Sequence, residues 1–260
     1  MITFARAVCV RAKEEEISPM FDIHCHILPG LDDGAFSEDE SLAMLALAAE
    51  NGTHCLCCTP HTGPYSFDDL LSAYRRFRES ARMHEIPVRL YLGQEIYLGE
   101  DFRRQIRNME AGYPVSVNRS VYSLVEFHPQ VRSADVFAAV QALTAIGCVP
   151  VIAHPERYVF AARDQENVLH LKKLGALLQI NAGSLLGTFG RQAAHVADFL
   201  LYKRAADFIA SDGHSPYARP PKLRDAHAIV SEYYSMEYAD HLMRDNPRRM
   251  INNKKITPYT

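Results

Sequence analysis

The chain has 260 residues, 48% of them hydrophobic, and a formal net charge of −3 at pH 7. That length and apolar content suit one large α/β domain, or two small ones, with a sizeable core. The near-balanced charge gives no electrostatic case for nucleic acid as a partner, and no apolar run approaches the ~18 residues that span a bilayer, so stable membrane insertion is not expected.

The N-terminus lacks the apolar core of a signal peptide. Cys9, Cys25, Cys55, Cys57, Cys58 and Cys148 sit mostly inside apolar runs and form no disulfide-like framework. They are expected to be buried thiols in a reducing, cytoplasmic compartment. Residues 1–19 differ from the rest of the chain: a weakly apolar stretch, a charged run from Arg11 to Glu16, and the breaker Pro19. Lys13-Glu14-Glu15-Glu16 is also what a purine-rich ribosome-binding sequence would spell a few codons before Met20. The segment is therefore expected to be disordered or the product of a start site assigned too early, with a single domain over 20–260.

Met20-Phe21-Asp22-Ile23-His24-Cys25-His26 reads as the first strand. Alternate side chains on a strand share a face, so His24 and His26 can reach one metal ion. After a loop through Asp32-Asp33-Gly34, Ser37 and Glu40 open a helix that Asn51-Gly52 ends. A second strand over 54–59 finishes at Thr59-Pro60-His61, and Asp68 caps a helix to about His84. Strand three is predicted over 88–96, through Gly93-Gln94-Glu95-Ile96-Tyr97, and strand four over 122–127, with Glu126 near its end. A helix from Ser133 to Ile146 leads to strand five over 149–153 and then His154-Pro155-Glu156-Arg157. A helix near 164–174 precedes strand six over 177–181, and one near 190–205 precedes strand seven, which ends in Ser211-Asp212-Gly213-His214. Pro220-Pro221 introduce a helix of about fourteen residues, and a last short helix precedes Asp245-Asn246-Pro247-Arg248.

Buried strands alternating with helices predict an α/β fold with a parallel sheet covered on both faces. Polar residues collect at the C-terminal ends of six of the seven predicted strands, as in a barrel whose active site lies at one rim. An open doubly wound sheet would gather them at one switch point, and no glycine-rich phosphate loop is present. The strand ends supply His24, His26, Asp33, His61, Glu95, Glu126, His154, Asp212 and His214. Five histidines and four carboxylates exceed the needs of one ion. They suit two or three neighbouring ions with a bridging carboxylate, the donors being nitrogen and oxygen and not thiolate.

The motifs at 20–26, 32–34, 59–61, 93–97, Val125-Glu126-Phe127, 153–157, 211–214, Arg219-Pro220-Pro221 and 245–248 resemble the polymerase-and-histidinol-phosphatase (PHP) superfamily. Within it they are most similar to the manganese-dependent bacterial protein-tyrosine phosphatases encoded with capsule and exopolysaccharide genes. The resemblance spans about 20–252, in order. It implies a distorted TIM-like (β/α)7 barrel holding three divalent ions, with Mn2+ first and iron, zinc or cobalt as substitutes. By the same resemblance, His24, His26, Glu95 and Asp212 hold one ion. Glu95, Glu126 and His154 hold the second, and Asp33, His61 and His214 the third. Arg157 and Arg219 match the family's phosphate-gripping arginines. The implied substrate is a phosphotyrosyl protein, the tail of a bacterial tyrosine autokinase that controls polysaccharide export. The competing enzymatic reading is a small-molecule phosphomonoesterase similar to histidinol phosphatase. The competing reading from another class is a catalytically silent barrel, which predicts missing ligands.

Cys55, Cys57 and Cys58 suggest a thiolate nucleophile, but they lie within a strand and lack a Cys-x5-Arg loop, so core packing is expected. Tyr65, Tyr97, Tyr158 and His128 are candidates for the mouth of the site. His54, His84, His170, His195, His227 and His241 are expected to be ordinary core or surface histidines.

Overall fold

The computed structural model describes residues 19–110 and 115–259. The N-terminal extension up to Ser18, with Cys9, lies outside the described residues. Among the described residues, eight strands form two parallel sheets. β1 (Met20–Cys25), β2 (Thr53–Cys58) and β3 (Arg89–Leu92) make one, in the order β1-β2-β3. β4 (Glu95–Tyr97), β5 (Tyr122–Glu126), β6 (Val149–Ala153), β7 (Leu177–Asn181) and β8 (Phe208–Ala210) make the other, in chain order. Most successive strands are joined by helices, as alternation of buried strands with amphipathic segments requires.

Local chemistry sets the helix ends. Ser37 accepts from the Glu40 amide at the start of Glu38–Glu50, and Gly52, at φ +87°, lets the chain turn out of it. A reciprocal pair between Ser66 and Asp69 opens Phe67–Met83, so the cap lies two residues earlier than Asp68. Phe102–Glu110 is a helix that the sequence reading did not anticipate.

The single strand expected over 88–96 is two. Gly93 makes the last bond to β2, donating to Cys58 O, and Gln94 then turns away to donate to Val115 O. Glu95 then donates to Pro60 O while Thr62 donates to Glu95 O, so β4 restarts alongside the segment after β2. Glycine at 93 relieves a close approach, since a Cβ there would sit 3.2 Å from Val117 Cα. The other seam lies between β8 and β1. Asp212 donates to His24 O over 2.9 Å and His26 donates to Gly213 O over 2.8 Å.

Three apolar clusters form among the described residues. One lies between the five-stranded sheet and its helices, and a second between the three-stranded sheet and Glu38–Glu50 and Phe67–Met83. The third draws Ile23, Cys57, Leu124, Val151 and Phe208 from both sheets against Met250 and Ile251. The thiols at Cys25, Cys55, Cys57 and Cys58 are buried and unpaired, and Cys148 is half-buried, in line with the core reading. No helix among the described residues is long and apolar enough to cross a membrane.

Gly34 fixes the loop after β1 to the strand end it serves. A Cβ there would collide with the His26 carbonyl and lie 2.5 Å from His26 Cβ. Gly34→Ala is therefore expected to cost about 1–3 kcal/mol by overpacking, lowering Tm by several degrees. A thermal melt of the variant that overlays the wild type would contradict this.

Candidate metal centre

His24 sits where the β1 register is irregular, between Asp22 and Cys25. Such irregularities re-aim side chains beside functional sites. The buried Asp22 carboxylate accepts from the amides of His24 and Ser211 and so ties β1 to the end of β8. His154 and Asp212 follow β6 and β8 in the left-handed region, at φ 36° and 53°. Histidine and aspartate tolerate that region better than most residues, and backbone strain of this kind collects at functional sites.

These turns bring the predicted residues together. His24 Nε2 lies 3.1 Å from His26 Nε2, 3.2 Å from Glu95 Oε2 and 3.4 Å from Asp212 Oδ1. His26 Nε2 lies 3.1 Å from Glu95 Oε2 and 3.6 Å from Asp212 Oδ1. Bonds of about 2.1 Å to one ion put its donors roughly 3.0–3.4 Å apart, so this buried set fits a single ion. A second group joins His26, Asp33, His61 and His214. In it Asp33 Oδ1 is 3.4 Å from His61 Nε2 and 3.5 Å from His214 Nε2. A third joins His61, Glu95 and Glu126, with His61 Nδ1 at 3.2 Å from Glu95 Oε2 and 2.9 Å from Glu126 Oε1. His154 Nε2 stands 3.0 Å from Glu95 Oε1 and 3.8 Å from Glu126 Oε2. All nine predicted donors thus converge, with His26 and His61 each falling in two groups where one was expected.

Arg157 and Arg219 both donate to Asp212 Oδ2, at 3.1 and 2.5 Å, while Oδ1 faces the histidines. Their side chains are 30% and 27% exposed, so each can also reach a molecule at the rim. Tyr158 is buried and donates to Ala153 O, which removes it from the mouth. Tyr97 and His128 are exposed, and Tyr65 bonds to His61 O. None of the six histidines set aside as ordinary falls in a metal-type group.

Residues 20–252 match the family described as capsular polysaccharide synthesis, CpsB/CapC. The chain belongs to the CpsB/CapC family. The tyrosine-protein phosphatase YwqE of Bacillus subtilis is 29% identical over 244 residues, which cover 91% of this chain and 93% of YwqE. CpsB of Streptococcus pneumoniae, also a tyrosine-protein phosphatase, is 29% identical over 246 residues, 91% of this chain and all of CpsB. A structure reported with YwqE and CpsB as unique metal-dependent tyrosine phosphatases superposes with a TM-score of 0.84 at 29% identity, over 92% of this chain and 97% of that one. The resemblance drawn from the motifs is borne out.

This CpsB/CapC chain also shows how its donors are aimed. His24 Nδ1 pairs with Gln179 Oε1 at 2.8 Å, His26 Nδ1 with Asp32 Oδ2 at 2.7 Å, and His214 Nδ1 with Asp212 O at 2.9 Å. Each ring thereby turns Nε2 toward the centre, the arrangement by which outer groups orient metal-ligating histidines. Asn181 Nδ2 donates to Asp212 Oδ2 over 2.6 Å. The sequence reading assigned no role to Asp32, Gln179 or Asn181. Their signal was available in part: Gln179 and Asn181 are polar residues two apart on an otherwise apolar strand.

Burial would raise the Glu95 carboxyl, but the His24 charge and hydrogen bonds from His154, His24 and His26 hold it well below the usual range. Burial likewise opposes a charged His26, yet its hydrogen bonds to Asp32 and Glu95 raise it from 6.5 to about 10. Asp32 is pushed down from 3.8 to about 2, where burial is outweighed by its bond to His26 and the charge there. In the metal-free protein, the His26 contribution to stability is full below 6.5 and lost as pH climbs through about 10. That of Asp32 is present above 3.8 and lost as pH falls through about 2. A donor nitrogen must give up its proton to a metal, so ion uptake near pH 7 should release protons. Calorimetric manganese titrations in buffers of different ionisation enthalpy are expected to show about one proton or more released per chain. Asp32→Asn should weaken affinity roughly 10–100-fold. Proton-neutral binding with unchanged affinity would contradict the pairing.

Proposed function

We propose that this chain is a metal-dependent protein-tyrosine phosphatase acting in the cytoplasm on the tail of a bacterial tyrosine autokinase of capsule or exopolysaccharide assembly. The observation that carries this reading is the two-sided use of Asp212. One carboxylate oxygen faces His24 and His26, and the other meets Arg157 and Arg219. A phosphoryl group at that edge would have metal-type donors on one side and guanidinium groups on the other. The names of the relatives supply the substrate class, and metal dependence follows from the description of their structures.

The assignment is of three divalent ions, manganese first, to nine donors. His24, His26, Glu95 and Asp212 take one. Glu95, Glu126 and His154 take a second, with His61 at its edge, and Asp33, His61 and His214 take the third. Bound ions would polarise the phosphoryl oxygens and make water a nucleophile near neutral pH. Arg157 and Arg219 would hold the phosphoryl oxygens through planar, paired N–H groups, which lysine cannot present. A tyrosine leaving group has a pKa of ~10, so its departure does not demand a strong acid. A thiolate is poorly placed to compete, because burial pushes the Cys57 and Cys58 thiols up.

Residues 20–260 are read as one domain, a distorted (β/α)7 barrel in which β3 and β4 count as one interrupted strand. Two observations support closure: isolated bridges Cys25–Gly213 and His61–Glu95 cross the two seams, and one apolar cluster takes residues from both sheets.

Chelation is expected to abolish turnover of a phosphotyrosyl peptide, and manganese to restore it. Arg157→Ala and Arg219→Ala, at unchanged metal content, should each lower kcat/KM by roughly two to three orders of magnitude. Histidinol phosphate should be a poor substrate. Efficient histidinol phosphate turnover with an inert phosphotyrosyl peptide would overturn the protein-phosphatase reading, and near-wild-type arginine variants would remove those residues from the mechanism.

A further inference from the structure

Phe189 lies in no motif, yet both arginines of the site pack on its ring. The guanidinium carbon of Arg157 is 4.6 Å from the ring centroid and that of Arg219 is 5.6 Å. The two side chains arrive from different segments, Arg157 from the turn Pro155–Arg157 after β6 and Arg219 from the loop after β8. Two like charges converging on one carboxylate oxygen repel each other, so something must fix their planes. We propose that Phe189 is a positioning residue whose aromatic face holds Arg157 and Arg219 together as a paired clamp for the phosphoryl group. This inference rests on the role given to the arginines above.

The face of an aromatic ring attracts a guanidinium within about 6 Å, and stacking leaves the guanidinium edge free to donate. The ring is itself held. A Cβ on Gly183 would lie 2.9 Å from Phe189 Cε2, so the absent side chain is what makes room for the ring edge. Thr188 donates to Gly183 O over 2.9 Å and closes the turn that carries Phe189 into the helix Gly190–Tyr202. Gly183 belongs to Ala182–Leu185, directly after β7, the strand whose Gln179 and Asn181 orient His24 and Asp212. Glu156, beside Arg157, accepts from Asn181 N over 2.9 Å and Ser184 Oγ over 2.6 Å. The Arg157 turn is thereby fastened to the segment that presents the ring.

The test uses the manganese-loaded full chain, with p-nitrophenyl phosphate as substrate and inorganic phosphate as competitive inhibitor. Phe189→Leu keeps most of the volume and removes the ring; Phe189→Tyr keeps the ring. Phe189→Leu is expected to weaken phosphate inhibition about five- to thirtyfold and to lower kcat/KM, with metal content and Tm unchanged. Phe189→Tyr should stay near wild type. In an Arg157→Ala background, Phe189→Leu should cost much less than it does alone, because the two act through one contact. Should Phe189→Leu fail to fold, Gly183→Ala pushes on the ring edge while leaving residue 189 itself unchanged, and is expected to weaken phosphate inhibition in the same direction. Unchanged phosphate inhibition in the folded variant, or full additivity with Arg157→Ala, would overturn the inference and leave Phe189 a packing residue. If Arg157→Ala and Arg219→Ala do not themselves alter phosphate inhibition, the arginine reading fails first and the clamp falls with it.

Discussion

Glu95 places a carboxylate in a site with 1% exposure, and the rest of the centre is arranged to make that tolerable. An isolated charge so buried would cost several kcal/mol. Here four histidine nitrogens stand within 3.2 Å of its two oxygens: those of His24, His26 and His61 at Oε2, and that of His154 at Oε1. These residues come from the ends of β1, β2 and β6. Holding them around one carboxylate fixes how those strands meet, so the site and the sheet seams are one constraint.

Backbone geometry answers that constraint at each strand end. β4 begins anew at Glu95 because the chain leaves β2 at Gly93 and rejoins the same rim through Pro60 and Thr62. β8 is followed by Asp212 at positive φ, and from there Asp212 and Gly213 bond to β1 on either side of Cys25. The carboxylates then divide their oxygens between neighbours. Asp212 shows this most clearly, with histidines on one oxygen and Asn181, Arg157 and Arg219 on the other. Asp32 does the same with the His26 ring on Oδ2 and the Gly34 amide on Oδ1.

Much of this was legible because ligand-type residues at strand ends are not hidden by the apolar periodicity around them. Most of the nine donors stand out at the ends of apolar runs, and the structure gathers all nine with the two arginines. What stayed illegible depends on contacts distant in sequence. The break between β3 and β4 arises where Gln94 pairs with Val115 and not with β2, and no local pattern encodes it. Phe102–Glu110 is hard to read locally because its apolar face is short, with Phe102 and Ile106 separated by Arg103, Arg104 and Gln105. The role of Gln179 is hidden in the sequence because its partner, His24, is 155 positions away. Asp32 cannot be told from Asp33 by sequence, since both side chains can bind a metal, and only the fold shows Asp32 turned toward Nδ1 of His26.

The central claim is that His24, His26, Glu95 and Asp212 would surround one ion and that Glu95 would bridge it to a second. Anomalous diffraction from manganese-loaded crystals tests this directly. The account predicts a manganese peak about 2 Å from His24 Nε2, His26 Nε2, Glu95 Oε2 and Asp212 Oδ1, with a second peak across the Glu95 carboxylate toward Glu126. Manganese bound elsewhere, or a peak at that position with Glu95 turned away from it, would contradict the account.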